Sequence, residues 1–369
     1  MADIVMVLLE DIRYDGRVRK EVGTLVRAGH RVELVVADYS NSRSDGADLG
    51  VTIHYIPRRI WSSPWRNFLA KLSFNLKATS VIKQLKITHI HCHDLETLLA
   101  GIWSKQRTGA TLILDAHELI PESMYGLKKL IWNSIEKRCI KKCDRIIIPE
   151  KNRINYYKNK YPYIRQPLLL ENFPKQSDIP TEKINIFREI YPINESQKII
   201  LYTGILRSKR HIEDLIHSMN MCEEEFALVI LGNAFKGYEE TLREKINQLD
   251  LADRIFLHGA VPHTEILRYM ASCDIGTAIY ANTDLNNYYC ASNKLYEYIA
   301  LEKAIVTNNY PGLLETVQAF NQGVCLAEIT PKSLAESYAK AADSNLVKPG
   351  TKKYFWDGQE EILLHVYEK

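Results

Sequence analysis

Short runs rich in Val, Ile and Leu alternate along the chain with segments whose apolar positions recur at helical spacing. In the first half, DIVMVLL (3–9) reads as a strand, 17–28 as a helix closed by Gly29, and RVELVVA (31–37) as a second strand. ITHIHCH (87–93) is a strand leading into the helical DLETLLAGIW (94–103). ATLILDAHE (110–118) and DRIIIPE (144–150) are strands on either side of a long helix at 127–142. KIILYTG (198–204), FALVILG (226–232), RIFLHGA (254–260), DIGTAIY (274–280), AIVTN (304–308) and GVCLAE (323–328) continue the strands, with helices at 211–219 and 238–249 among them. Strands separated by helices predict βαβ units and parallel sheets. The Pro-bearing, polar QPLLLENFPKQSDIPTEK (166–183) reads as a linker, so the pattern predicts two similar α/β domains, 1–172 and 173–345, with a closing segment 346–369.

Doubly wound sheets bind ligands beyond the carboxyl ends of their strands, and two such domains are expected to share a cleft there. The residues falling at those ends are Asp15 and Gly16, His91, His93 and Asp94, and His117 with Glu118 in the first half. In the second they are 204–210, Gly232, His258 and Gly259, 280–294, and Pro311 with Gly312. The loop after the first strand, EDIRYDGRVRKE, has one glycine, as does GILRSKRHIED in the second half. That weighs against the G-x-G-x-x-G dinucleotide fingerprint, and no Walker lysine motif occurs.

The 46% hydrophobic and 25% charged content is that of a soluble globular protein. No run approaches the roughly 18–20 apolar residues that cross a bilayer. The N-terminal MADIVMVLLEDIRYDGR lacks a basic n-region and meets acids straight after its apolar run, so it is expected to be a buried strand and not a secretion signal. Seven scattered cysteines fit a reducing cytoplasm; only Cys139 and Cys143 lie close together, with no second pair to complete a zinc site. A net charge of +3 is too small to argue for nucleic acid. Its distribution is more informative. Residues 49–93 hold no Asp or Glu, while Arg58, Arg59, Arg66, Lys71, Lys77, Lys83 and Lys86 are interleaved with Trp61, Trp65, Phe68 and Phe74. Two readings stay open: an anionic membrane surface met through 57–86, or core aromatics with solvated bases.

SNKLYEYIALEKAIV (292–306) raises a narrower question. Ser292 reads as an N-cap, and Leu295, Tyr296, Ile299 and Ala300 as the apolar face of a helix. Lys294 then faces the positive end of the helix dipole, which disfavours it by roughly a few tenths of a kcal/mol. It is either a solvated surface lysine or a cation waiting for an anion.

Several stretches together resemble the retaining family-4 glycosyltransferases (glycosyl transferases group 1), whose fold is the two-domain GT-B. They are EDIRYDGRVRKEVGTLVRAGHRVELV, HCHDLETLLAG and LDAHELIPE in the first half. In the second they are LYTGILRSKRHIEDLI, VILG, RIFLHGAVPHTEILRYMASCDIGTAIY and SNKLYEYIALEKAIVTNNYPGLLETV. YFWDGQEEILLHVYEK resembles the family's C-terminal helix, which returns to the first domain. The resemblance implies a nucleotide-sugar donor, with a UDP-sugar favoured. The acceptor would be a hydroxyl of a glycan or lipid-linked molecule in surface polysaccharide or glycoconjugate synthesis, with the enzyme peripheral at the inner membrane face. It implies neither metal nor cofactor.

The same resemblance assigns roles. Lys294 and Arg210, with Lys209 as the adjacent alternative, would hold the diphosphate, and Arg207 would compensate for Gly204, read as standing where the family has the arginine of a G-R-L turn. Glu297 would accept from the ribose hydroxyls, or else pair with Lys294 one turn back. Gly16, Gly204, Gly232, Ser292 and Asn293 line the donor side. The first acid of the family's Glu-x7-Glu pattern is replaced by Tyr289, which puts the sugar-recognition loop NTDLNNYYCAS (282–292) in question. His117 would touch the transferred sugar as a neutral imidazole, or merely cap the next segment. Asp15, His93, Asp94 and Glu118 would face the acceptor, Asp15 with an N-cap as its alternative, and His91 would support them. No carboxylate stands out as a nucleophile, so the family's same-face mechanism is the one implied. A nucleotide-sugar epimerase on the same fold and a silent nucleotide-sugar-binding subunit are the rival readings.

Overall fold

Residues 4–8 are buried on both sides, which explains why the first apolar run is continuous and does not alternate. The computed structural model describes residues 1–39, 47–235, 237–343 and 354–368. Two compact units divide the chain: Met1–Glu171 with Gly358–Lys369, and Asn172–Asp357. The expected boundary at 345–346 lies outside the described residues.

The first unit carries β1 (Asp3–Leu8), β2 (Arg31–Asp38), β3 (Thr52–Pro57), β4 (His89–His93), β5 (Thr111–Asp115), β6 (Arg145–Ile148) and β7 (Leu168–Leu169). They form one seven-stranded sheet in the order β3-β2-β1-β4-β5-β6-β7. Every pairing is parallel. Helices α1 (Gly16–Arg27), α2 (Pro64–Ile82), α3 (Leu98–Thr108), α4 (Gly126–Cys139) and α5 (Lys151–Lys160) make the crossovers. The strand order reverses beside β1, so the switch point where ligands bind such sheets lies between β1 and β4.

The second unit repeats the scheme with six parallel strands ordered β10-β9-β8-β11-β12-β13. These are β8 (Lys198–Thr203), β9 (Phe226–Leu231), β10 (Ile255–His258), β11 (Ile275–Ala278), β12 (Ala304–Asn308) and β13 (Gly323–Leu326). Alternate residues of β8 enter separate cores: Ile199 and Leu201 pack on one face of the sheet, Ile200 and Tyr202 on the other. Its helices are α6 (Ile186–Ile190), α7 (Ile212–Met219), α8 (Tyr238–Gln248), α9 (Ile266–Ala271), α10 (Leu285–Tyr288), α11 (Asn293–Ala300), α12 (Pro311–Phe320) and α13 (Pro331–Ala342). The switch point here lies between β8 and β11. A last helix, α14 (Trp356–His365), starts at a wholly buried Trp356, and from Gly358 onward the chain belongs to the first unit. There Glu360 accepts from Thr24 at 2.9 Å and His365 from Arg145 at 2.7 Å.

Two elements depart from the periodicity reading. β3 and α2 occupy a stretch read only for its charge; β3 is a half-exposed edge strand and α2 is apolar on its outer side too, so neither gives a clean period. The stretch read as a linker begins in the first sheet, because Leu168 and Leu169 pair with β6. No helix among the described residues is long and apolar enough to cross a membrane.

Candidate functional site

In the second unit the site is built at the end of β8 and the start of α11. Ser292 caps α11, its Oγ accepting from the Leu295 amide at 3.1 Å, and the Tyr280 hydroxyl lies 2.6 Å from the same oxygen. α11 seats close on the sheet because residue 276 is glycine: a Cβ there would lie 2.3 Å from the Tyr298 ring. The first turn of α11 therefore sits directly above the end of β8. Lys294 Nζ stands 5.0 Å from the Tyr202 ring centroid. A Cβ on Gly204 would come within 2.9 Å of that same nitrogen. The charge of Arg210 acts on the Tyr202 hydroxyl, opposing the rise in its pKa that burial causes, and on Lys294 as well, so the two cations gather at one tyrosine. Burial lowers the Lys294 pKa to about 8, helped by the charge of Arg210 and opposed by Glu297. Two positive charges held against a helix N-terminus favour an anion between them.

The loops around this point explain the glycines. Gly232 ends β9 at φ 154°, and a Cβ there would lie 1.8 Å from the Gly204 carbonyl oxygen. Gly204, at φ 139°, is thus itself the glycine that its turn requires. The side chain of the next residue, Ile205, is exposed, while Leu206 is buried and bridges to Ala234. Arg207 and Lys209 are exposed, and Asn293 accepts from Asn172 at 2.9 Å. Tyr289 stacks edge-on with Tyr288 at 5.0 Å, and Tyr288 lies 5.2 Å from Tyr310.

In the first unit Asp15 caps α1, its Oδ1 accepting from the Val18 amide at 3.0 Å, and Gly16 is the first helical residue. The next residue along is the one the sequence reading missed. Arg17 is buried and donates both Nε and Nη2 to Asp115 at 3.0 Å, and Nη1 to the Leu170 carbonyl at 3.0 Å. Glu21, wholly buried, lies 3.0 Å from the same guanidinium. Asp115 also meets His117, whose Nε2 is 3.0 Å from Oδ2, while His117 Nδ1 is 3.7 Å from Asp94. Asp94 is held at φ 62° and accepts from the Glu118 amide at 3.1 Å. Glu118 itself is exposed.

These contacts fix charge states. Burial works against a charged His117, yet Asp115 and Asp94 outweigh it and raise the ring to about 10. The two carboxylates thus favour the protonated ring, where a neutral imidazole was expected. His93, 3.2 Å from His117, is driven well below its usual range by burial and its histidine neighbours. His91 is lowered by burial to about 4, and its Nδ1 lies 2.5 Å from the hydroxyl of Tyr367, beyond α14. Burial and Asp115 push Glu21 well up. Donor atoms of Glu21, His91, His93 and Asp115 lie within 4.8 Å of one another, a grouping with metal-ligand chemistry. Arg17 already supplies a permanent positive charge to both of its carboxylates.

Two family models match the chain. One described as "Glycosyl transferases group 1" covers residues 183–353, and one described as "Glycosyl transferase 4-like domain" covers 17–152. An uncharacterized glycosyltransferase of Methanocaldococcus jannaschii is 23% identical over 93% of this chain and 91% of its own length. Among solved structures, Anabaena HepE in complex with UDP and glucose superposes with a TM-score of 0.72 at 14% identity, covering 100% of this chain and 96% of that one. Sucrose-phosphate synthase from Thermosynechococcus elongatus gives 0.73 at 14% identity, covering 100% and 95%. A lipopolysaccharide outer core galactosyltransferase gives 0.68 at 12%, covering 99% and 100%. At these identities the likeness establishes the GT-B fold.

Proposed function

The chain belongs to the group 1 glycosyltransferases, and from that premise we propose that it moves a sugar, with retention, from a nucleoside diphosphate to an acceptor hydroxyl. The observation that carries this reading is the convergence of Lys294 and Arg210 on Tyr202, at the mouth of β8 and under a helix N-terminus. As the glycosidic bond breaks, its electron pair passes to the diphosphate oxygen. Cations set in place beforehand stabilise that growing charge more than they stabilise the ground state. The departing oxygen then takes the proton of the acceptor hydroxyl on the same face, which balances the transfer without a protein nucleophile. Lys294 and Arg210 supply the positive charge, so the reaction is read as metal-independent and without a cofactor. Glu297 is assigned to the ribose hydroxyls. His117, held as a cation by two carboxylates, donates to the transferred sugar.

Uridine is the proposed base, in keeping with the UDP and UDP-glucose bound to the Anabaena fold relative. The acceptor is read as a glycan or lipid-linked molecule of surface polysaccharide or glycoconjugate synthesis at the cytoplasmic face of a membrane. Thermal shift against UDP, GDP, ADP and CDP tests the donor: a ligand at 100 times its dissociation constant stabilises by about 2.7 kcal/mol. UDP alone is expected to produce the large shift, and Lys294→Ala with Arg210→Ala to abolish it together with slow hydrolysis of a UDP-sugar. Wild-type protein that binds a nucleoside diphosphate but never hydrolyses a donor would be the silent nucleotide-sugar-binding subunit suggested by Tyr289. Free epimer without transfer would make it an epimerase.

A further inference from the structure

The exposed face of α2 is built against the usual rule for a surface helix. Its inner side buries Phe74, Ala78 and Ile82, as expected. Its outer side carries Trp65, Leu69 and Leu76, spaced by four and seven and each more than half exposed. The polar positions between them are Arg66, Ser73, Lys77, Ser80 and Lys83, all exposed and none acidic. α4 continues this surface. Trp65 packs on Phe68 at 6.0 Å, and Phe68 on Trp132 of α4 at 6.2 Å. At the near end of α4, Tyr125, Leu127 and Leu130 are also more than half exposed, beside the exposed Lys128.

The carboxylates of this region are turned inward and taken. Glu96 pairs with Lys71. Glu122 accepts from Lys129 at 2.7 Å and from Lys160 at 3.1 Å. Neither is left to repel an anionic surface. A set of protruding Trp, Tyr and Leu side chains, linked through Phe68 and Trp132 and interspersed with Arg, Lys and Ser but no acid, has the chemistry of an interfacial face: apolar tips for the acyl boundary, cations for phosphate headgroups. No helix among the described residues could span the bilayer, so the contact would be peripheral.

We propose that the outer face of α2 and the tip of α4 together form a docking surface for an anionic lipid bilayer. The inference deepens the transferase reading and rests on it for its purpose, which is to hold the first unit where a lipid-linked acceptor presents its hydroxyl. None of the residues varied below is among the described switch-point residues of that unit, so docking and donor chemistry are separable by mutation.

The test uses full-length protein and two kinds of vesicle: phosphatidylcholine alone, and phosphatidylcholine with one third phosphatidylglycerol. Sedimentation with the anionic vesicles is expected, and little with the neutral ones. Leu69→Ser with Leu127→Ser should lower the partition coefficient by about tenfold or more. Arg66→Gln, Lys77→Gln and Lys128→Gln should lower it by about fivefold per charge. Both variants should keep the wild-type melting temperature and UDP-sugar hydrolysis. Equal partition into the two vesicle types, or partition untouched by both variants, overturns the proposal. So does a concentration-dependent dimer in light scattering that Leu69→Ser with Leu127→Ser dissolves, since the face would then be covered by a second copy. Anionic binding by a wild-type protein that never hydrolyses a donor sinks the transferase reading and leaves the docking surface standing.

Discussion

At the scale of single residues, the informative feature is Lys294, a lysine packed over an aromatic ring near a second cation, with its pKa lowered to about 8. A lysine whose folded pKa lies below its unfolded value of 10.5 loses its proton in the folded state first. The unliganded protein therefore gains stability as pH rises from about 8 towards 10.5, since the unfolded chain then binds more protons. Nucleotide binding has the opposite dependence, because the diphosphate needs the charged amine. Calorimetric titration of UDP should show affinity level below about pH 8 and falling above it. Lys294→Met should remove that fall and cost roughly 10²–10³ in turnover, as the loss of one preset charge-stabilising group does. Affinity that stays flat through pH 9.5 in the wild type would mean the anion is held elsewhere. His117 shows why such states escape a reading of motifs: the carboxylates that keep it charged are Asp94 and Asp115, and Asp115 is itself fixed by Arg17, 98 positions away.

At the scale of elements, the donor site depends on how closely α11 lies on β11. Gly276→Ala puts a methyl group where the Tyr298 ring now sits, so the ring or the strand must shift. Overpacking of this kind costs about 1–3 kcal/mol. The expected result is a protein that still folds, melts earlier and binds UDP more weakly, because the first turn of α11 is lifted from the end of β8. Denaturant melts paired with UDP titration check this; lost stability with unchanged UDP affinity would separate the helix from the site. The strands and most helices were legible because their apolar runs and helical spacing survive in one dimension. β3 and α2 were not, one as a half-exposed edge and the other because its outer face carries Trp65, Leu69 and Leu76 as well as the apolar residues it buries, which blurs the helical period.

At the scale of the whole molecule, the two sheets repeat one design, and the closing segment ties the chain's end to the first of them. Tyr367 lies against His91, 276 positions away, and its ring packs 5.4 Å from that of His89. Deleting 358–369 would uncover a buried histidine pair and the Glu21 carboxyl. The truncated chain is expected to show faster amide exchange across β1 and β4 while 172–357 keeps its protection. Tyr367→Phe should cost only about 0.5–1.5 kcal/mol, the net worth of one hydrogen bond. Unchanged exchange in β4 after truncation would show that the segment merely rests on the surface.

The sequence by itself determined the two α/β halves, the division near residue 172, the capped start of α11 and the family, because each is written in contiguous residues through period, cap and motif. Only the tertiary structure decided what those residues meet. It brought Lys294 and Arg210 to one tyrosine, made residue 204 a glycine for want of space, and placed Arg17, Glu21 and Tyr367 around histidines far away in the chain. Charge state and steric room depend on neighbours in space, and those distant neighbours are set by packing of the sheets and helices, to which local periodicity is blind.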